Sequence, residues 1–80
     1  MEKVFVIFSE RTQYAGNQIA SVDEQMFPFF FLTAEDADAG ISRIIERMAE
    51  GGDCSYSRHI IINNKTDIQH RFRIAELKRA

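Results

Sequence analysis

Hydrophobic and polar positions in residues 26–52 predict a strand that leads directly into an amphipathic helix. Residues 26–32 form the most hydrophobic run of the chain, Met-Phe-Pro-Phe-Phe-Phe-Leu. Thr33 follows the run and is a typical helix N-cap, because its hydroxyl can accept a hydrogen bond from a free backbone N–H of the first turn. Gly51 and Gly52 end the pattern, since glycine readily adopts the left-handed conformation that closes helices.

The predicted helix has one apolar face. Its apolar residues recur at i, i+4, i+7, i+8 and i+11, the spacing of one side of an α-helix. They are Ala37, Ile41, Ile44, Ile45 and Met48. We expect Ile44 and Ile45 to be buried against a sheet.

The other apolar runs predict strands on both sides of this helix. Residues 3–9 contain five consecutive apolar side chains, as in a strand that is covered on both faces. Residues 19–32 predict a second strand, joined to the first by a turn at Gly16. After a polar loop, residues 59–62 and 68–74 predict a hairpin, and the second of these alternates cleanly between apolar and polar positions.

The order β-β-α-β-β predicts an α+β fold with a four-stranded antiparallel sheet, strand order 2-1-3-4, and one helix packed on one face. Pro28 lacks a backbone N–H, so we expect the second strand at an edge of the sheet. Residues 75–80 are expected to fray or to form a last helical turn. At this length we expect residues 1–80 to form a single domain.

One helix cannot cover both faces of this sheet, yet the first two strands are apolar on both faces. Either residues 9–25 or the C-terminus fold over the uncovered side chains, or these side chains form an interface. We therefore expect an apolar sheet face with a binding role and a homodimer formed through it or through a sheet edge. The predicted face comprises Phe27, Phe29 and Phe31.

Composition limits the location and the chemistry. Cys54 is the only cysteine, and the N-terminus does not resemble a secretory segment, so we expect a cytoplasmic protein. The longest apolar run is shorter than the ~20 residues of a membrane helix, so no membrane contact is expected. His59 and His70 do not have the spacing of metal ligands, and no glycine-rich phosphate loop is present. We expect no metal, no cofactor and no catalytic residue.

Charge is segregated along the chain, whose net charge is −2. Residues 1–57 hold four Lys or Arg and ten Asp or Glu, giving −6, whereas residues 58–80 hold six and two, giving +4. An acidic surface could occupy the basic groove of a partner such as a nucleic-acid-binding complex. The residues predicted for it are Asp23, Glu24, Glu35, Asp36, Asp38 and Glu46. The competing explanation is helix capping for those in the first helical turns and solvation for the others.

Nucleic-acid binding is the alternative hypothesis. Arg71 and Arg73 project from the same face of the last predicted strand, and basic residues beside sheet aromatics can hold unpaired bases. The strand lacks the glycine and aromatic pattern of RNA-recognition sheets, however. A pI of about 5.6 is also low for a nucleic-acid binder.

We therefore predict a small non-enzymatic protein that acts by binding another protein, itself included. In size, acidity and lack of catalytic apparatus, the chain resembles the small inhibitors that phages and mobile elements encode against host defence complexes, anti-CRISPR proteins among them. This resemblance implies a regulatory protein that blocks such a complex by direct contact.

Overall fold

The structure, a computed structural model, describes residues 2–79 and the side chains of residues 3–78. Its elements are β1 (Glu2–Ala15), β2 (Gln18–Met26), α1 (Ala34–Ala49), β3 (Cys54–Tyr56), β4 (Ile60–Asn63) and β5 (Ile68–Arg79). Across the described residues the strands form one five-stranded antiparallel sheet, and α1 packs on one of its faces. The predicted α+β class is confirmed.

The observed strand order, β2-β1-β5-β4-β3, corrects the predicted order 2-1-3-4. The last strand, β5, lies beside β1, where the sequence predicts the strand at residues 59–62. β5 pairs with β1 from Glu2 opposite Arg79 to Gln13 opposite Ile68. β4 has only four residues and could satisfy far fewer backbone groups of the long β1. A fifth strand, β3, pairs with β4 where a polar loop is predicted.

Three strand boundaries also differ from the prediction. β1 continues past residue 9 to Ala15, β2 ends at Met26 instead of residue 32, and β5 extends through the end that is expected to fray. The added residues of β1 are largely polar, and their backbone pairs with both β2 and β5. Gly16 occupies the hairpin turn at a φ of 64°, and β2 lies at the sheet edge, both as predicted.

The helix begins and ends as predicted. The Thr33 hydroxyl accepts a hydrogen bond from the Asp36 backbone N–H at 3.0 Å, so Thr33 is the N-cap. The chain leaves the helix through Gly52, whose φ is 75°, a conformation that costs glycine little.

The core lies between α1 and the sheet. Helix residues Ala37, Ile41 and Ile45 are buried against Ile7, Ile61 and Phe72 of β1, β4 and β5. Ile44 is only half-buried, which corrects the expectation that it is buried with Ile45. It lies at the margin of the buried helix face, beside the segment that connects β2 to α1.

Candidate functional site

The segment between β2 and α1 is anchored to β1 at two points. The Phe27 N–H donates to the carbonyl of Ile7 at 2.9 Å, and the Phe31 N–H donates to the carbonyl of Phe5 at 2.9 Å. Between these two anchors the segment advances four residues, from Phe27 to Phe31, whereas β1 advances two, from Ile7 to Phe5. The extra length is accommodated by residues 28–30, which leave the sheet and are called the phenylalanine loop.

The phenylalanine loop presents large apolar side chains to solvent. Pro28 suits this position, because a residue that leaves the sheet needs no ladder N–H. Phe29 is 58% exposed and Phe30 is 67% exposed, and Leu32, just beyond the loop, is 78% exposed. Side chains of this size are usually buried, so their grouping within four residues is the most unusual surface feature of the fold.

The predicted phenylalanine face is divided between core and surface. Phe27 and Phe31 pack against the core on the helix side, and the Phe27 and Phe72 rings lie 6.1 Å apart. Phe29 lies outside, in the phenylalanine loop. The three residues thus do not form one face of a strand, because the run is not a continuous strand.

A groove of about 840 Å³ lies between the phenylalanine loop and α1. Its apolar lining includes Phe29, Phe31 and Ile44, and its helix side carries both charges, as Arg43, Glu46, Arg47 and Glu50. The hydrophobic pattern of the sequence does not predict this groove. Two arginines four residues apart beside Ile44, downstream of a phenylalanine-rich run, are the signal that could have indicated it.

Gly40 allows the groove to be lined by an aromatic ring. A methyl group on Gly40 would lie 2.9 Å from Cζ of Phe31 and 3.4 Å from Cδ1 of Ile7. The first distance is well inside ordinary carbon–carbon contact of about 3.5–4.0 Å. Only glycine therefore allows the Phe31 ring to rest directly on the helix backbone.

The predicted acidic residues fall into two groups. Asp23 lies 3.7 Å from Arg11 and Glu24 lies 3.4 Å from Arg73, so both have a cationic neighbour on another strand. Asp38 also has a cationic neighbour, Arg58, and contacts His59 as well. Within residues 3–78, the other three predicted residues make no ion pair; they are Glu35, Asp36 and Glu46.

Asp38 connects the first turns of α1 to the loop before β4. Its Oδ1 lies 2.6 Å from Nε2 of His59, and its Oδ2 accepts a hydrogen bond from Arg58 at 3.2 Å. The contacts with His59 and then Arg58 hold the pKa of Asp38 below its ordinary value of 3.8. These contacts give Asp38 a structural role that would compete with binding to a partner.

The two arginines of the nucleic-acid hypothesis lie on the sheet face opposite α1. The guanidinium of Arg73 lies 4.3 Å from the centre of the Phe8 ring and contacts Glu24. Arg71 is exposed and makes no ion pair among the described side chains. Arg73 is thus already engaged by an aromatic ring and a carboxylate.

A second cavity, of about 250 Å³, lies beside the end of α1 and is lined in part by Met48, Cys54 and His70. The Cys54 thiol donates to the carbonyl of Gly52 at 3.5 Å. Burial, together with the charge of Arg11, lowers the pKa of His70 below its ordinary value of 6.5. Within the described part of the chain, no three His, Cys, Asp or Glu side chains are grouped so that they could hold a metal ion.

No helix among residues 2–79 has both the length and the apolar character needed to cross a membrane. Comparisons with protein-family models, with curated proteins and with solved structures found no match to this chain.

Proposed function

We propose that this chain is a non-enzymatic protein-binding domain whose contact surface is the phenylalanine loop and the adjoining groove. The observation that carries the proposal is the exposure of Phe29, Phe30 and Leu32, each more than half accessible, beside a groove whose helix side carries arginines and glutamates. Aromatic residues and arginine are enriched among the residues that dominate binding energy at protein interfaces.

The exposed apolar side chains of this surface can supply part of the energy of specific binding. Complete burial of a Phe or Leu side chain contributes about 1.5–3 kcal/mol. Because Phe29, Phe30 and Leu32 are already partly buried in the free protein, they could together contribute roughly 3–6 kcal/mol before the costs of association are subtracted. The loop is also held at both ends by hydrogen bonds to β1, so less conformational entropy is lost when a partner binds.

The narrower prediction, an inhibitor of a host defence complex that presents an acidic surface in the cytoplasm, remains part of the proposal. Glu35, Asp36 and Glu46 are the predicted acidic residues that support it best, because they make no ion pair within residues 3–78. Asp38 supports it less, since replacing it would also break its contacts with His59 and Arg58.

The experiment compares capture of proteins from host-cell extract by the wild type and by the variant Phe29→Ser/Phe30→Ser. The matched control is Tyr56→Ser, which removes an exposed aromatic ring from β3, outside the groove lining. We expect the loop variant to lose a specific partner that the control retains, and binding of the purified partner to weaken by at least about 100-fold. Equal capture by all three proteins would refute the proposed surface.

A mobility-shift assay with single-stranded DNA and RNA tests the alternative hypothesis. Tight binding that falls steeply with salt, and that is lost in Arg71→Gln/Arg73→Gln, would favour nucleic-acid recognition instead. We expect no such binding, since Arg73 already contacts Glu24 and Phe8.

A further inference from the structure

Glycine is a poor residue for the interior of a helix, yet Gly40 lies near the middle of α1. It is one of the groove-lining residues, and so is Phe31. A methyl group on Gly40 would lie 2.9 Å from Cζ and 3.2 Å from Cε1 of Phe31. Both atoms belong to the outer end of the ring. The helix backbone and the ring are therefore in direct contact along the wall of the groove.

The core limits how this contact can be relieved when a side chain replaces the hydrogen of Gly40. Ordinary carbon–carbon contact begins at about 3.5 Å, so the ring and the helix would have to separate by roughly 0.6 Å. Ala37 and Ile41, on either side of Gly40 along α1, are fully buried, and Ile7 lies only 3.4 Å from the new methyl group. Because protein interiors are close-packed and yield little, the ring is the part that moves.

We propose that Gly40 is a positioning residue of the binding surface: it leaves room for the Phe31 ring and so sets the width of the groove beside the phenylalanine loop. Gly40 acts through Phe31 and does not need to touch the partner. A side chain at position 40 pushes the ring towards the groove, where Phe29 and Ile44 also lie. This role rests on the proposed function, since the groove matters only as part of the binding surface.

The positioning role predicts a loss of affinity without a loss of the fold. Packing at the centre of a protein interface is as dense as in protein interiors, so a displaced ring leaves the partner's side chains poorly accommodated. We expect Gly40→Ala to weaken binding on the order of 10-fold. The matched control is Ala39→Gly, at an exposed position outside the groove lining. It lowers stability to a similar extent and should bind as the wild type does.

NMR spectra of the free protein test the position of the ring. The reporters are the amide signal of Phe29 and the methyl signals of Ile44, because both residues line the groove. These signals should shift in Gly40→Ala and stay close to their wild-type positions in Ala39→Gly. Adding Gly40→Ala to Phe31→Leu should no longer shift them relative to Phe31→Leu alone, since the ring that would be displaced is absent. Circular dichroism checks the fold of each variant.

Affinity tests the role in binding, and the probe is the purified protein that the wild type captures and Phe29→Ser/Phe30→Ser does not. Gly40→Ala should bind this protein about 10-fold more weakly than Ala39→Gly does. Equal affinities would overturn the role of Gly40, and so would unshifted groove signals. A Gly40→Ala chain that fails to fold would also overturn it, because the core would then have absorbed the clash. If no protein is captured, the proposed function fails, and the NMR shifts still decide whether Gly40 positions the ring.

Discussion

Gly40→Ala should destabilise the protein, although the same change in an ordinary helix interior is stabilising. Alanine normally improves a helix by about 0.5–1 kcal/mol relative to glycine. At Gly40 the new methyl group would lie 2.9 Å from Cζ of Phe31, so the ring must move. The ring cannot move freely, because the Phe31 backbone is held by two hydrogen bonds to Phe5 and its side chain packs on the core.

The magnitude follows from these opposing terms. Overpacking of this kind costs about 1–3 kcal/mol, so the net loss in unfolding free energy should be about 0.5–2 kcal/mol. An 80-residue domain has a stability of about 4–12 kcal/mol, so such a loss is readily measured. Urea unfolding followed by far-UV circular dichroism gives the shift from the change in midpoint at constant slope.

Phe31→Leu provides the internal test, because it removes the ring that the new methyl group would meet. In that background Gly40→Ala should regain its usual effect and stabilise by about 0.5–1 kcal/mol. Ala39→Gly, at an exposed position of the same helix, reports only the difference in helix propensity between alanine and glycine. It should lower the unfolding free energy by a similar amount. Stabilisation by Gly40→Ala in the wild-type background would refute the packing of Phe31 on Gly40.

Two further measurements test the packing of the core and the titration of His70. Ile41→Ala should cost about 2–5 kcal/mol, because Ile41 is fully buried, whereas Ile44→Ala at the half-buried groove wall should cost about 1–2 kcal/mol; equal urea midpoints for the two variants would contradict this assignment. The lowered pKa of His70 favours its neutral form in the folded state, so its contribution to stability is present above the ordinary pKa of 6.5 and is lost as pH falls towards the folded-state pKa. Between about pH 7.5 and pH 5, the urea midpoint of the wild type should therefore fall more than that of His70→Gln, and parallel profiles would contradict the desolvation of His70.

The helix could be predicted from the sequence because its signals are local. The Thr33 cap, the spacing of Ala37, Ile41 and Ile45, and the terminal glycine all act within a few residues. The strand order depends instead on which distant segment pairs with β1. An arrangement with the 59–62 strand beside β1 also makes all neighbouring pairs antiparallel, so the hydrophobic pattern does not distinguish it from the observed one.

The length of the strands was the missing information. Residues 10–15 and 75–79 are mostly polar or mixed, so their pattern does not indicate a strand. Because they extend β1 and β5, the two strands can pair along their full lengths, which favours their adjacency over that of β1 and the short β4. Backbone hydrogen bonds form whatever the polarity of the side chains, so the hydrophobic pattern does not indicate these extensions of β1 and β5.

The phenylalanine run shows a different limit of sequence patterns. Every residue from 26 to 32 is apolar or proline, so no alternation indicates which side chains face inward. The two hydrogen-bonded anchors on β1 determine which side chains face inward. They place Phe27 and Phe31 on the core and leave the intervening phenylalanines in solvent. Substitutions in this run should therefore separate into two classes: those at the anchors lower stability, and those in the phenylalanine loop change binding while the fold persists.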